Sequence, residues 1–210
     1  MPDFAPALQI GTTEPLIIDN DVNWATIAES RTGSMANADN FLYVYLGAGA
    51  GVGAGLFLSG GLHRGAGGTA GEIAFLRMSS GETLMSRLGH SPIGTPDGRS
   101  IDLDRARALL DSEAPDHASD AILDDLAHTI VNVTTAIEPG RIVIGGPLSE
   151  MARITEGLRR RIEDTALTDV QVTMSPLGRT APLEGAAIGA LELAHHHRAN
   201  TGSTVADAAV

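Results

Sequence analysis

The chain contains no cysteine and no lysine in its 210 residues. Without cysteine it can form no disulfide, no thiolate nucleophile and no thiolate metal site. Without lysine it can form neither a Walker-type phosphate loop nor a Schiff base. Composition alone therefore excludes several classes of enzyme and of metalloprotein.

Positive charge and long apolar runs are also scarce. Fourteen arginines stand against 26 acidic residues, which gives a net charge of -12 and leaves no basic stripe for direct contact with nucleic acid. No apolar run reaches the roughly eighteen residues of a membrane span, and no secretion signal follows Met1. With 43% hydrophobic residues, we expect a globular cytoplasmic chain with one core and no membrane contact.

Glycine, in contrast, is concentrated in one region. Eleven of the 25 glycines fall between residues 47 and 71, in the runs GAGAGVGAG (47–55) and GAGGTAGE (65–72). Because glycine has no Cβ and accepts φ > 0, such runs suit sharp turns and close approach to bare backbone. With Phe41, Tyr43 and Tyr45 alternating before them, they predict a strand–turn–strand hairpin that holds a ligand. A glycine turn without a ligand is the alternative.

Helices and strands alternate along the rest of the chain. Apolar spacing predicts helices over residues 23–31, 122–137 and 148–162, and another from Pro182 to about Leu193. Short apolar or alternating runs predict strands, at residues 16–18, 141–144 and 170–174. Residues 198–210 are small and polar and are expected to form a disordered tail.

Residues 49–54 fit the loose dinucleotide pattern G-x-G-x-x-A. That pattern works by opening a helix whose N-terminus meets the pyrophosphate. Here a strand is expected to follow, so we reject a Rossmann site. The simpler interpretation is a hairpin whose backbone amides line a cleft for phosphate or another ligand.

Four segments together resemble the ROK family of bacterial sugar kinases and sugar-sensing transcriptional repressors. They are LIIDNDVNWATIAES (16–30), YVYLGAGAGVGAGLFLSGGLHRGAGGTAGEIA (43–74), IVIGGPLSEM (142–151) and LEGAAIGALE (183–192). The resemblance implies an α/β fold, an actin-like (ribonuclease H-like) ATPase-type lobe. In such a lobe we expect a mixed sheet with helices on both faces and the glycine hairpin joined to parallel strands.

The resemblance also implies a sugar site. The aspartate matching Asp21 acts as general base on a sugar hydroxyl, and Asn20 and Glu72 match residues that contact sugar hydroxyls; Gly68 is assigned to the same substrate-binding set. Asparagine offers a donor and an acceptor, whereas an ionised aspartate only accepts, so the pair suits a hydroxyl that loses a proton. The alternatives are an N-cap for residues 19–21 and a helix-terminal charge for Glu72.

Two glycine loops match phosphate- and nucleotide-binding loops of the kinases. In the first of them Ala48 stands where a kinase usually has threonine, so a hydroxyl for a phosphate oxygen is absent. A tight strand-to-helix turn explains the second loop equally well. The candidate nucleotide-binding residues are Gly47, Gly49, Gly51, Gly145 and Gly146.

The structural zinc that is common in the family has no counterpart in this sequence. Phe75 stands at the position of the histidine ligand, and residues 77–82 contain no cysteine. We therefore expect no metal and no cofactor, with ATP and Mg²⁺ required only if the protein is a kinase. Phe75 is expected to replace the order supplied by the metal with apolar packing.

No Asp-x-Gly, which opens the first-lobe phosphate loop of this fold, occurs anywhere in the chain. Phosphoryl transfer by positioning requires both lobes. We therefore expect residues 1–31 to be the crossover strand and helix from an N-terminal lobe, and residues 32–197 to be the C-terminal lobe.

These departures favour the effector-binding and dimerisation half of a transcriptional regulator over an enzyme. A small sugar would be its effector, and DNA would be contacted only through another domain. The alternative is the C-terminal lobe of an ATP-dependent sugar kinase with Asp21 as base; a scaffold without ligand is a third hypothesis. Because a separated lobe would expose apolar surface, we also expect a homo-oligomer.

Overall fold

The computed structural model describes residues 16–47, 51–111 and 117–206, with side chains up to residue 196. These residues form a five-stranded sheet in the order β3-β2-β1-β4-β5. Its strands are β1 (Phe41–Leu46), β2 (Val52–Leu58), β3 (Gly61–His63), β4 (Arg141–Gly145) and β5 (Gln171–Met174). The predicted Gly49 and Ala48 lie outside the described residues.

The sheet is mixed. β1 pairs antiparallel with β2, and β2 with β3, whereas β1, β4 and β5 run parallel. The glycine hairpin is therefore confirmed, and it is joined to parallel strands as expected. The register places Leu46 opposite Val52 across the turn and Tyr45 beside Gly145.

Helices cover both faces of the sheet, which confirms the predicted fold class. They are α1 (Asp21–Arg31), α2 (Leu84–Gly89), α3 (Leu103–Leu110), α4 (His117–Ile137), α5 (Ala152–Thr165) and α6 (Ala181–Ala206). Strand alternation divides the core: Phe41 and Tyr43 face α1 and the start of α6, while Leu42 and Val44 face the side of α4 and α5. No helix in the described ranges has the length and apolarity needed to cross a bilayer.

The glycines of β2 allow α1 to lie directly on the strand. A Cβ built on Gly55 would overlap the Thr26 hydroxyl, and one on Gly53 would come within 3.0 Å of the Val22 side chain. On the other side of α1, a Cβ on Gly185 of α6 would overlap the backbone carbonyl of Trp24. Two of the clustered glycines, Gly53 and Gly55, together with Gly185 thus serve the packing of α1 between β2 and α6.

One predicted strand and one predicted helix end are wrong. Residues 16–18 form no strand, because no strand of the described chain pairs with them, and their apolar side chains are exposed. Helix α6 continues to Ala206 rather than ending near Leu193, so the predicted tail from residue 198 is helical up to that point. No proline follows Pro182, so nothing in this stretch blocks the helical hydrogen bonds.

The contact between α1 and α6 can be tested with two glycine-to-alanine substitutions. The two substitutions, Gly185→Ala and Gly157→Ala, each lie within a helix, and each gains about 1 kcal/mol of helix propensity. Gly185→Ala forces a methyl group onto the Trp24 carbonyl, and we expect it to lower the free energy of unfolding by roughly 1–3 kcal/mol. Urea unfolding followed by the fluorescence of Trp24, the single tryptophan, measures the loss.

Gly157→Ala in α5 is the matched control. Its added methyl would meet only the Leu123 methyl at 3.0 Å and the Arg161 side chain at 3.4 Å, and both of these can move. We expect it to be neutral or stabilising. Equal effects of the two substitutions would contradict the close packing of α1 and α6.

Candidate functional site

The four predicted sugar-contact residues lie together in one cleft. Asn20, Asp21, Gly68 and Glu72 all line a space of about 270 Å³. The remaining lining comes from the start of α1, the end of β1, the start of β2 and residues 70–71. The structure therefore brings together residues that are about fifty positions apart in the sequence.

Asn20 is both a helix cap and a wall of this cleft. Its backbone is extended, and its Oδ1 accepts a hydrogen bond from the Val22 amide at 2.7 Å, so it is the N-cap of α1. Asp21, the first residue of the helix, is exposed, and its Oδ1 lies 2.9 Å from the same amide. The capping alternative is thus confirmed for Asn20, and it coexists with a position in the cleft.

Asp19 makes the densest set of polar contacts near the cleft. Its Oδ1 accepts from the Asn20 amide at 2.8 Å and from Asn23 Nδ2 at 2.6 Å. Its Oδ2 accepts from Arg64 Nε at 2.8 Å and from Arg64 Nη2 at 2.6 Å. The Asp19 side chain is only 10% exposed. From the sequence, Asp19 is predicted only as a possible cap, and its link to Arg64 is not predicted.

The second glycine run forms the opposite wall. Residues 65–71 leave the sheet after β3 and return to the edge of β2, where the Ala54 amide donates to the Gly71 carbonyl at 2.8 Å. Gly71 has a φ of +91°, and a Cβ there would overlap the Ala54 carbonyl oxygen, so the close return requires glycine. Glu72 follows at once and is exposed at the cleft.

Tyr45 also lines the cleft and was not predicted to do so. Burial raises the pKa of its phenol, and the Asp21 carboxylate raises it further, while Arg179 opposes the shift. Arg179 itself is held by Glu150 through contacts of 3.0 and 2.8 Å. The alternation of β1 could have identified Tyr45 as facing α1, but only the fold places it beside Asp21.

The candidate nucleotide-binding glycines that the structure describes, Gly47, Gly51, Gly145 and Gly146, lie at the same edge of the sheet. The Gly47 amide donates to the Gly51 carbonyl at 2.9 Å, which closes the turn between β1 and β2. Gly146 has a φ of +88°, and a Cβ there would come within 2.7 Å of the Leu46 carbonyl oxygen. The two loops thus meet where β1 and β4 end, the edge at which open α/β sheets bind ligands. Their role in binding nucleotide stays a prediction.

The expected packing of Phe75 is wrong. Its side chain is 67% exposed, because only its neighbours Ile73 and Ala74 point into the core. The segment that replaces the zinc site is instead closed by backbone hydrogen bonds, from Met78 to Glu82 at 2.8 Å and from Leu84 to Leu76 at 3.0 Å. Within the described residues no cluster of His, Asp or Glu is arranged to hold a metal ion.

The cleft therefore offers two carboxylates, two asparagine side chains, the Tyr45 phenol and glycine backbone. Carboxylates accept hydrogen bonds from vicinal hydroxyls, and an asparagine amide can donate to an ether or hydroxyl oxygen. Among the described lining residues there is no arginine or histidine. This arrangement suits a neutral polyhydroxyl ligand better than an anion.

Comparisons with known proteins point to one family. The model of the ROK family matches residues 2–90 and 77–197. A glucokinase from Halalkalibacterium halodurans is 29% identical over 85% of the chain, and the chain spans 64% of that relative's length.

Solved structures show the same fold. The ROK hexokinase from Thermus thermophilus superposes with a TM-score of 0.67 at 24% identity, covering 88% of this chain and 68% of the hexokinase. A ROK-family transcriptional regulator, a homologue of the E. coli MLC protein, gives 0.63 at 18% identity, covering 89% of this chain and 54% of the regulator. The fold is therefore shared with kinases and with at least one regulator.

The two tyrosines of the chain, Tyr43 and Tyr45, provide a pH test of this region. Burial raises the pKa of both phenols above 10.0, and the Glu29 carboxylate adds to the shift of Tyr43. Because the pKa of each phenol is higher in the folded chain than in the unfolded chain, the neutral phenols stabilise the fold below pH 10.0. This stability is lost as the pH rises through the folded-state pKa values. Absorbance titration should show late tyrosinate formation coupled to unfolding; ordinary titration in the folded chain would contradict the burial of these phenols.

Proposed function

Because the chain belongs to the ROK family, we propose that it is the sugar-binding lobe of an ATP-dependent sugar kinase. The sequence alone favours a transcriptional regulator over this function. The comparisons support the kinase better, since the glucokinase is 29% identical to the chain and the regulator 18%. The chain spans less than two thirds of that glucokinase, so the activity of a whole kinase is part of the proposal.

One observation carries the proposal: Asn20, Asp21, Gly68 and Glu72 converge on a single small cleft. Its volume of about 270 Å³ lies just below the roughly 300–1,000 Å³ of pockets for drug-sized ligands, as suits a monosaccharide. Two carboxylates in such a space can orient a ring through pairs of hydroxyls. Gly51, from the first of the two glycine loops, also lines the cleft.

In the proposed reaction Asp21 is the general base. Its carboxylate accepts the proton of the sugar hydroxyl as that oxygen attacks the terminal phosphorus of ATP; the bond from this phosphorus to the bridging oxygen breaks, and ADP leaves. Asn20 and Glu72 hold neighbouring hydroxyls and so fix which oxygen faces Asp21. Gly47, Gly51, Gly145 and Gly146 would supply backbone near the phosphates and the adenosine, and Mg²⁺ would accompany the ATP. No step of metal chemistry is assigned to this lobe.

The regulator remains the second candidate, supported by two features of the sequence. Ala48 stands where a kinase usually has threonine, and Phe75 occupies the position of the family's histidine. In a regulator the same cleft would bind a sugar effector without turnover. Self-association stays a prediction for either function, supported by the exposed apolar side chains Leu183 and Leu191 on α6; light scattering at high concentration tests it.

Sugar binding can be measured by calorimetric titration with glucose, mannose and their N-acetylated amino derivatives. Asp21→Ala and Glu72→Gln each remove a charged acceptor from the cleft. Hydrogen bonds to charged groups contribute about 1.5–3 kcal/mol, so we expect each variant to bind the preferred sugar roughly tenfold more weakly or worse. Asp164→Ala, which removes an exposed carboxylate from α5 on the opposite face of the sheet, is the matched control and should bind normally.

If the wild-type chain binds none of these sugars, the proposed sugar site is overturned and a scaffold is favoured. Unchanged affinity in Asp21→Ala would remove that residue from the site.

Mg-ATP separates the two candidate functions. If the chain phosphorylates the sugar, Asp21→Asn should lower kcat about 10²- to 10⁴-fold, because a general base is lost while the shape of the side chain is kept. An ATP-coupled assay of sugar phosphate measures this. Nucleotide binding without turnover would fit a single kinase lobe, because phosphoryl transfer requires both lobes. Sugar binding without nucleotide binding would support the regulator instead.

A further inference from the structure

We propose that Asp19 and Arg64 form a positioning pair that holds the two halves of the sugar cleft in register, an inference that rests on the proposed function. Asp19 directly precedes Asn20 and Asp21, which form one half. Arg64 directly precedes residues 65–72, which carry Gly68 and Glu72 of the other half. The carboxylate–guanidinium contacts at 2.8 and 2.6 Å therefore join the two halves at the start of each.

Asp19 acts on its own half of the cleft at the same time. While Oδ2 binds Arg64, Oδ1 accepts from the Asn20 amide at 2.8 Å and from Asn23 Nδ2 at 2.6 Å. One carboxylate that is 10% exposed thus fixes both the N-terminus of α1 and the arginine. A shift of Arg64 is transmitted directly to the backbone of Asn20.

The segment carrying Gly68 and Glu72 has few other supports. Its far end is fixed by the bond from the Ala54 amide to the Gly71 carbonyl. Between the two ends, a Cβ on Gly67 or Gly68 would meet nothing within 4 Å. The internal bonds from Ala70 to Arg64 at 3.1 Å and from Gly68 to Gly65 at 3.4 Å shape the segment but do not attach it to α1. Gly71 and the partly buried Ala70 thus hold the far end of the segment against β2 and the core, and Arg64 ties its start to Asp19, next to Asn20 and Asp21.

The energetic consequence is local. The Arg64 side chain is 47% exposed, and ion pairs of this kind add little to global stability. They can still decide the stability of a short segment that has few other contacts. Loss of the pair should lower the fraction of molecules with both halves in place, and the apparent sugar affinity falls by that fraction.

The test compares Arg64→Gln and Arg64→Lys with the wild-type chain, using hydrogen exchange without sugar and glucose titration. In Arg64→Gln, the amides of Gly68, Ala70 and Glu72, which donate to backbone carbonyls within residues 64–72, should exchange roughly tenfold faster, and glucose should bind roughly tenfold more weakly. Arg64→Lys keeps the charge but not the forked geometry, so it should recover part of both losses. Arg31→Gln, which breaks the exposed pair of Arg31 and Glu192 at the other end of α1, should change neither.

Three other results would contradict the positioning role of Asp19 and Arg64. Unchanged exchange at residues 65–72 in Arg64→Gln overturns it, as does faster exchange with unchanged glucose affinity. Exchange that rises equally in the core helix α4 means general support of the fold and overturns the positioning role. If the wild-type chain binds none of the four sugars of the titration panel, the proposed function fails, and the exchange of residues 65–72 still reports whether Arg64 holds the segment.

Discussion

The structure depends on how closely α1 lies between β2 and α6. A helix normally stands away from a sheet by the length of its side chains, but Gly53 and Gly55 present bare backbone to Val22 and Thr26. On the other side, Gly185 and Gly189 of α6 make the same close approach to Trp24. With side chains at these four positions, α1 would be displaced. Its N-terminal residues would then no longer lie at the edge of the sheet.

The position of the N-terminus of α1 places Asn20 and Asp21 in the cleft. Asn20 caps the helix, so Asp21 lies in the first turn and faces Tyr45 and the glycine segment. The nearby arginines do not pair with the carboxylates that line the cleft. Both nearby arginines already have carboxylate partners, Arg64 in Asp19 and Arg179 in Glu150. Asp21 and Glu72 therefore remain available to hydroxyl groups, which is the chemistry of a neutral sugar.

The sequence predicted the hairpin, the parallel strands and the grouping of Asn20, Asp21, Gly68 and Glu72. It could do so because alternation and glycine runs are local signals, and because the family resemblance supplied the long-range grouping. It could not predict why β2 is rich in glycine. We expected a ligand against the glycine backbone of β2, but α1 covers much of it. Such a tertiary contact leaves no periodic signal in the sequence.

The errors have the same origin. Phe75 was expected to pack because it replaces a metal ligand, yet the hydrogen bonds between residues 76 and 84 close that segment without it. Residues 16–18 have the apolar character of a strand but no partner among the described strands. Asp19 was missed because its partner Arg64 is 45 residues away, and no local rule links them.

The central claim is that Asp21 and Glu72, held opposite each other by α1 and the second glycine run, bind one sugar. A crystal structure of the chain grown with a hexose from the titration panel tests this most directly. The account predicts that the sugar lies in the cleft, with separate hydroxyls within hydrogen-bond distance of the Asp21 and Glu72 carboxylates. A sugar bound elsewhere on the chain, or one that touches neither carboxylate, would contradict it.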